Sequence, residues 1–247
     1  MIKRIALALL LVSGVAHGAD PVLHTDLPLS YLEQAPAVTR DKPLVIFLHG
    51  YGSNEADLFG LRDQLPAGYT YLSVRAPQTL EEGSYQWFHQ QGDGAYDGVT
   101  ADLTSSRQAL HDFIAKAVAK YHTQASKVVL VGFSQGAIMS YELGLREPQS
   151  VRGIAVLSGK ILPVLQGELK SNPAPALNTL AIFIGHGTED PRLPFTDASE
   201  AQRILHELGL TPDFHAYADM GHTISKTEVE DLNAWLGDVL TLDPVGA

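Results

Sequence analysis

Residues 44–240 alternate between two textures of hydrophobic and polar positions. Short unbroken apolar runs, Leu44–Leu48, Tyr69–Val74, Val128–Val131, Ile154–Leu157 and Leu180–Ile184, are each bounded by turn-forming residues. Most lack the every-other-residue polarity of a half-exposed strand, so they predict strands covered on both faces, as in a parallel sheet. Between them lie helical patterns. Ala101–Tyr121 brings Leu103, Leu110, Phe113, Ile114, Ala117 and Val118 to one side, and Gln135–Leu145, Asp197–Leu208 and Thr227–Leu240 read the same way. A further short strand is expected at Asp213–Tyr217. Strands alternating with helices predict βαβ units, hence an α/β fold with a doubly wound, mostly parallel sheet and helices on both faces. The stretch Gln78–Val99, with Gly83, Gly92, Gly94 and Gly98 around Trp87 and Phe88, reads instead as a long glycine-punctuated loop. Loops of that length in compact domains are often functional. Only a short segment carrying Pro163, Pro173 and Pro175 separates Leu157 from Leu180. It is too small for a separate lid domain, since domains begin near ~50 residues, so any site is expected to be open or roofed by loops.

The amino terminus follows a different logic. Lys3 and Arg4 precede an apolar run from Ile5 to Val12, which closes on Ala16-His17-Gly18. This is the pattern of a cleavable secretory signal, and the run is far shorter than the roughly 20 residues that span a bilayer. The expectation is a signal peptide at residues 1–18, a single domain at 19–247, and a periplasmic or secreted protein without stable membrane insertion. Loss of Lys3 and Arg4 takes the net charge from -11 to -13. So acidic a chain repels phosphate backbones and anionic lipid, and nucleic acid is not an expected partner. Cysteine is absent, which removes disulfides, thiolate metal sites and a cysteine nucleophile from consideration. A chain of 247 residues can rely on its core alone.

Candidate chemistry enters at Val128–Gly136, VVLVGFSQG, where an apolar run drives into a serine between two glycines. In G-x-S-x-G, strand before and helix after, the glycines permit a strained turn that raises the serine above the carboxyl edge of the sheet. The N–H of Gln135, at the start of the following helix, can there hold a developing oxyanion. A serine hydroxyl is a poor nucleophile without a base. LAIFIGHGTEDP supplies Asp190 past one later strand and FHAYADMGHTIS supplies His222 past another, in the order serine, acid, histidine. Rivals exist. His186 precedes the acid and suits a turn-shaping role, His206 lies in a helix and His215 in a strand, and Asp197 and Asp219 are alternative acids. Asp197 reads as a helix-start residue and Asp219 as part of a turn. Past the Leu44–Leu48 strand, His49-Gly50-Tyr51-Gly52 can fold back toward the serine and offer the Tyr51 N–H as a second oxyanion donor. The histidines show neither H-x-H nor H-E-x-x-H spacing, so no metal or other cofactor is expected.

FLHGYGSNEADL, RAPQTL followed by YQWF, GFSQGA, GIAVLSG, GHGTEDPRLP and MGHTIS run in one order across nearly all of the chain past the leader. Together they resemble the carboxylesterase/phospholipase family of α/β-hydrolases, relatives of acyl-protein thioesterases. The resemblance implies the α/β-hydrolase fold and a Ser134, Asp190, His222 triad. It also implies an oxyanion hole from the Tyr51 and Gln135 amides, with Trp87 and Phe88, and less firmly Leu193, near an acyl pocket. The implied activity is a serine carboxylesterase acting through an acyl-enzyme on small to medium acyl esters, with lysophospholipids or thioesters as alternative substrates on the same triad. An amidase, or a binding protein without turnover, would reuse the same residues. The chain departs from many members in placing His89 after the Trp-Phe pair and in its export signal, which argues against an intracellular protein thioester. Both a monomer and a homodimer are compatible with this reading.

Overall fold

The computed structural model describes residues 21–91 and 97–241. The leader expected at residues 1–18 lies outside the described residues. In chain order the elements are β1 (Tyr31–Gln34), β2 (Leu44–Leu48), β3 (Thr70–Val74), β4 (Gln78–Glu81), β5 (Ser84–Gln86), β6 (Gln90–Gln91), β7 (Asp97–Gly98), α1 (Thr100–Lys120), β8 (Val128–Phe133), α2 (Gln135–Gly144), β9 (Gly153–Leu157), α3 (Pro163–Ser171), β10 (Ala181–Gly187), α4 (Phe195–Glu207), β11 (Asp213–Tyr217) and α5 (Lys226–Thr241). Seven strands form one sheet in the order β1-β3-β2-β8-β9-β10-β11. All neighbours pair parallel except β1, which runs antiparallel to β3 at the edge. From β2 the chain winds outward to β3 and later returns to β8, from which it winds the other way. The crevice where that direction reverses, at the carboxyl ends of β2 and β8, is where ligands of such sheets bind.

The apolar runs are continuous because the sheet is covered on both faces. Leu44, Ile46 and Leu48 of β2 pack into one layer with α1–α4 side chains such as Phe113, Ile138, Leu165 and Ile204. Val45 and Phe47 point the other way, into a second layer with Val229, Leu232, Trp235 and Leu236 of α5. Every residue of β2, β3, β8 and β9 is buried, the polar Thr70 and Ser73 of β3 included, so alternation of side-chain direction leaves no alternating polar pattern in the sequence.

Three elements depart from the polarity pattern. The edge strand β1 has only Tyr31 and Leu32 as apolar residues. It is fastened by side chains instead, with Tyr31 donating to Asp26 at 3.0 Å and Lys120 to Asp26 at 2.9 Å. Gln78–Val99 is not a plain loop: β4 and β5 form an antiparallel hairpin and β6 and β7 a second small pair. The four β4 residues are exposed or half-buried, so hydrogen bonding and not burial defines that hairpin. Third, α3 begins at Pro163, whose missing N–H is harmless in a first helical turn. Helix α3 and a turn at Leu177–Thr179 are all that separate β9 from β10. Among the described residues no helix is long and apolar enough to cross a membrane.

Candidate active site

Ser134 stands between β8 and α2 with φ 55° and ψ -115°, a backbone conformation that L-residues rarely adopt. The turn exists because its flanks are glycines. A Cβ on Gly132 would run into the Gly136 carbonyl, and one on Gly136 into the Leu48 carbonyl of β2. The helix can therefore start hard against two strands, which presents the serine at the crevice. Its N–H is held by the Leu157 carbonyl at 3.0 Å. The hydroxyl is 4% exposed as part of its residue, so a reacting group would meet it largely out of water.

The His222 imidazole lies between this hydroxyl and a carboxylate. Its Nε2 is 2.9 Å from Ser134 Oγ, and its Nδ1 is 2.6 Å from Asp190 Oδ2. A carboxylate only accepts, so Nδ1 carries the proton and Nε2 presents its lone pair to the serine O–H. The other Asp190 oxygen accepts the backbone N–H groups of Arg192 at 2.8 Å and Leu193 at 3.0 Å. Burial raises the Asp190 carboxyl. The hydrogen bonds from His222, Leu193 and Arg192 outweigh it and hold the group below the usual carboxylate range. Asp190 therefore stays charged and fixes the imidazole in one orientation. Both groups come from loops at the carboxyl edge, Asp190 after β10 and His222 after β11.

The His49–Ser53 segment reaches the same point from β2. Gly50 approaches so closely that a Cβ there would lie 3.3 Å from the Ser134 Cβ. The hairpin holds this segment from outside, with the Gly52 N–H donating to the Tyr85 carbonyl at 2.9 Å and the Tyr85 N–H to Ser53 at 2.8 Å. From inside, the Trp87 indole N–H donates to the His49 carbonyl at 2.9 Å. The Gln135 side chain accepts the Trp87 N–H at 2.7 Å and donates to the Phe88 carbonyl at 2.7 Å. One side chain thus ties the start of α2 to the strip of chain that braces the β2 loop. The Gln135 N–H opens a helix and has no acceptor within it, as every first-turn N–H must. His49 is wholly buried; its Nδ1 donates to the Gly50 carbonyl at 2.8 Å and its Nε2 accepts the Ala76 N–H at 3.1 Å. Burial keeps this imidazole below its usual pKa, hence neutral. Trp87, Phe88 and Leu193 are all fully or almost fully buried beside these loops.

The rival residues fall elsewhere. His186 donates from Nε2 to the Leu193 carbonyl at 2.8 Å and so shapes the turn that carries Asp190. His206 is exposed in the last turn of α4, and His215 stacks on Phe183. Asp219 occupies a positive-φ turn, its N–H bonded to the Thr188 hydroxyl. Helix α4 begins at Phe195, two residues before the start read from Asp197, because Pro194 supplies the entry and Asp197 falls within the first turn. His89 pairs with Asp102 of α1 at 2.8 Å. The side-chain roles of His49 and Gln135 are not readable from local sequence, since each depends on contacts between distant segments. A cavity lined by Leu169, Pro173, Ile204 and Leu208 opens between α3 and α4, away from Ser134. Among the described residues no cluster of His, Asp and Glu could hold a metal ion.

A serine at a strained strand-to-helix turn, beside an imidazole oriented by a carboxylate, on a parallel sheet, defines an α/β-hydrolase. The phospholipase/carboxylesterase family model matches residues 33–240, and the chain belongs to that family. Acyl-protein thioesterase 1 of Mycosarcoma maydis is 29% identical over 219 residues, covering 79% of this chain and 90% of that protein. Carboxylesterase SOBER1 of Arabidopsis thaliana is 28% identical over 207 residues, covering 79% and 90%. Among solved structures, esterase PE8 superimposes with a TM-score of 0.73 at 27% identity, covering 84% of this chain and 97% of that one.

Proposed function

We propose that this protein is a serine carboxylesterase that hydrolyses small to medium acyl esters through an acyl-enzyme. The observation that carries the reading is the unbroken relay from Asp190 through His222 to Ser134, with contacts of 2.6 and 2.9 Å. Ser134 Oγ attacks the ester carbonyl carbon while its proton passes to His222 Nε2. Asp190 stabilises the resulting imidazolium. The oxyanion is received by the N–H groups of Tyr51 and Gln135, each donor contributing on the order of 10²–10³ in rate. Collapse breaks the ester C–O bond, and His222 gives its proton to the leaving alkoxide. Water then adds to the acyl-serine with His222 as base, and the carboxylic acid departs. The name of the Mycosarcoma maydis relative favours a second reading, a thioester substrate cleaved by the same steps.

The test is to treat the purified protein with a fluorophosphonate and weigh it intact beside Ser134→Ala. One adduct on the native chain and none on the variant supports an activated serine; a folded native chain that takes no adduct refutes it. Matched oxygen and sulfur esters of one acyl group then separate the two substrate readings. We also propose that the mature protein lies outside the cytoplasm, a reading supported by Lys3 and Arg4 ahead of Ile5–Val12 and by Ala16-His17-Gly18. Amino-terminal sequencing of the exported protein should begin after Gly18, and a chain retained whole in the cytoplasm would refute export.

A further inference from the structure

The loop that offers the Tyr51 N–H is poorly equipped to hold its own shape. Gly50 and Gly52 flank Tyr51, and Gly52 sits at φ 75°, so the backbone on either side has wide conformational freedom. Within the loop, the Ser53 N–H reaches the Gly50 carbonyl only at 3.3 Å. Tyr51 is 47% exposed, so burial of its own ring does not anchor it. The position of its N–H is imposed from outside, and the contacts that impose it converge on Arg75, the residue that follows β3.

Arg75 Nε donates to Glu55 Oε2 at 2.7 Å and its Nη2 to Glu55 Oε1 at 2.6 Å, the two-pronged bond that suits a planar guanidinium. Glu55 is buried and lies two residues past Ser53. Burial raises its carboxyl. The Arg75 hydrogen bonds outweigh that and hold it below the usual carboxylate range, so the pair is charged. The same guanidinium lies over the Tyr85 ring, 4.5 Å from its centre. Tyr85 is the hairpin residue whose backbone brackets Gly52 and Ser53. Its surroundings add to that grip, with Ser84 Oγ donating to the Gly52 carbonyl at 3.0 Å and Asn54 Nδ2 to the Gly83 carbonyl at 2.9 Å. The peptide N–H that follows Arg75, that of Ala76, is the one His49 Nε2 accepts. Arg75 is thus joined to the loop at its start through His49, past its end through Glu55, and from outside through Tyr85. Neither Glu55 nor Arg75 lies in a strand or helix, so what the pair fixes is loop against loop.

We propose that Arg75 is a positioning residue for the reaction: clamped to Glu55 and stacked on Tyr85, it fixes the Gly50–Ser53 backbone so that the Tyr51 N–H is aimed at the oxyanion before substrate arrives. The proposal rests on the esterase reading of Ser134 and adds to it the device that preorganises one oxyanion donor. Arg75 acts through the loop and not on the substrate. Its effect falls on the transition state, because the charge that the donor receives develops only there.

The test follows p-nitrophenyl acetate hydrolysis and inhibition by butylboronic acid, a tetrahedral mimic, in the native enzyme, Arg75→Met and Arg75→Lys, with the melting temperature of each. Removing a whole oxyanion donor costs on the order of 10²–10³ in rate, so a donor loosened but still present predicts a fall in kcat on the order of tenfold in Arg75→Met. Acylation and deacylation both pass through an oxyanion, so KM should change little. Affinity for the boronic acid should fall in step with kcat/KM. The pH of half-maximal kcat/KM should stay where it is, since the clamp includes neither His222 nor Asp190. Arg75→Lys keeps the charge but loses the fork and the flat stacking face, and should fall between the other two. A lower melting temperature with kcat and boronic acid affinity unmoved overturns the proposal and leaves the pair a stabilising contact; a loss confined to KM overturns it as well. If Arg75→Met does not fold, Arg75→Lys decides by the same readings. Failure of the native enzyme to hydrolyse the acetate ester refutes the esterase reading itself, a distinct result from a normal native rate that the Arg75 variants leave unchanged.

Discussion

A carboxyl group with no counter-charge among the described residues lies in the packed layer behind β10. Glu228, in the first turn of α5, is wholly buried, and among the described residues neither of its oxygens has a hydrogen-bond partner. It lies against Gly185, where a Cβ would collide with it. Burial pushes its pKa up to about 8, Asp231 adds to the shift, and the Ser225 backbone N–H opposes it without reaching hydrogen-bond geometry. The folded protein thus holds a proton that the unfolded chain, with a reference value of 4.5, releases. Stability from this group is fully present below the unfolded pKa and is lost as pH rises through the folded one. Between pH 5 and pH 8 the loss amounts to roughly 3–4 kcal/mol at 1.36 kcal/mol per unit, a ceiling because local opening admits water. Buried, neutral His49 and His186, with pKa values depressed by burial, act with the opposite sign on the acid side. The useful quantity is therefore the difference between Glu228→Met and the native protein, measured by urea unfolding at several pH values. The variant should gain on the native protein steadily as pH rises, by up to that amount. A gap that stays constant from pH 5 to pH 8 would show that the carboxyl ionises alike in both states and would refute the reasoning.

Two further outcomes concern the site. Asp190→Asn should lower kcat on the order of 10⁴ with unchanged circular dichroism, because the amide no longer holds the Nδ1–H tautomer; a near-native rate would pass the acid role to Asp197 or Asp219. Gln135→Ala keeps the backbone N–H but removes both hydrogen bonds to the Trp87–Phe88 strip. It should weaken binding of a boronic acid, a tetrahedral mimic, in parallel with kcat/KM and by ~10-fold or more, while KM for the ester changes little. An unaltered boronic acid affinity would sever the side chain from the oxyanion hole.

How much of this was legible in the sequence follows from where the information resides. The buried strands and amphipathic helices are written in local polarity, because burial on both faces or on one leaves a distinct period. The serine turn is equally local: two glycines and a serine between a strand and a helix dictate close packing whatever surrounds them. Asp190 and His222 could be ordered along the chain but not chosen over their rivals by polarity, since their meeting depends on the pairing of β10 with β11. The β4–β5 hairpin escaped notice because its strands are defined by hydrogen bonds to each other and to the Gly52–Ser53 backbone, not by buried side chains. Edge strand β1 did so because its security comes from Asp26 and Lys120, the latter 89 positions away from Tyr31. Lys160 looks like an ordinary surface lysine until the fold sets Asp97 beside it at 3.1 Å.

The parallel sheet has two ends that do different things. Ser134, Asp190, His222 and the Tyr51 loop all leave strands at their carboxyl ends. The connections that enter the same strands, at Thr39–Pro43, Gln124–Lys127, Val151–Arg152 and Leu210–Pro212, lie at the far side and carry none of these groups. The molecule is polar in the sense of a tool with a handle. A tether, affinity tag or solid support joined at the entering turns would leave the mouth facing solution. The same attachment through the hairpin at Glu81–Gly83, which bonds directly to the Gly52–Ser53 backbone, would pull on the atoms that position the reaction.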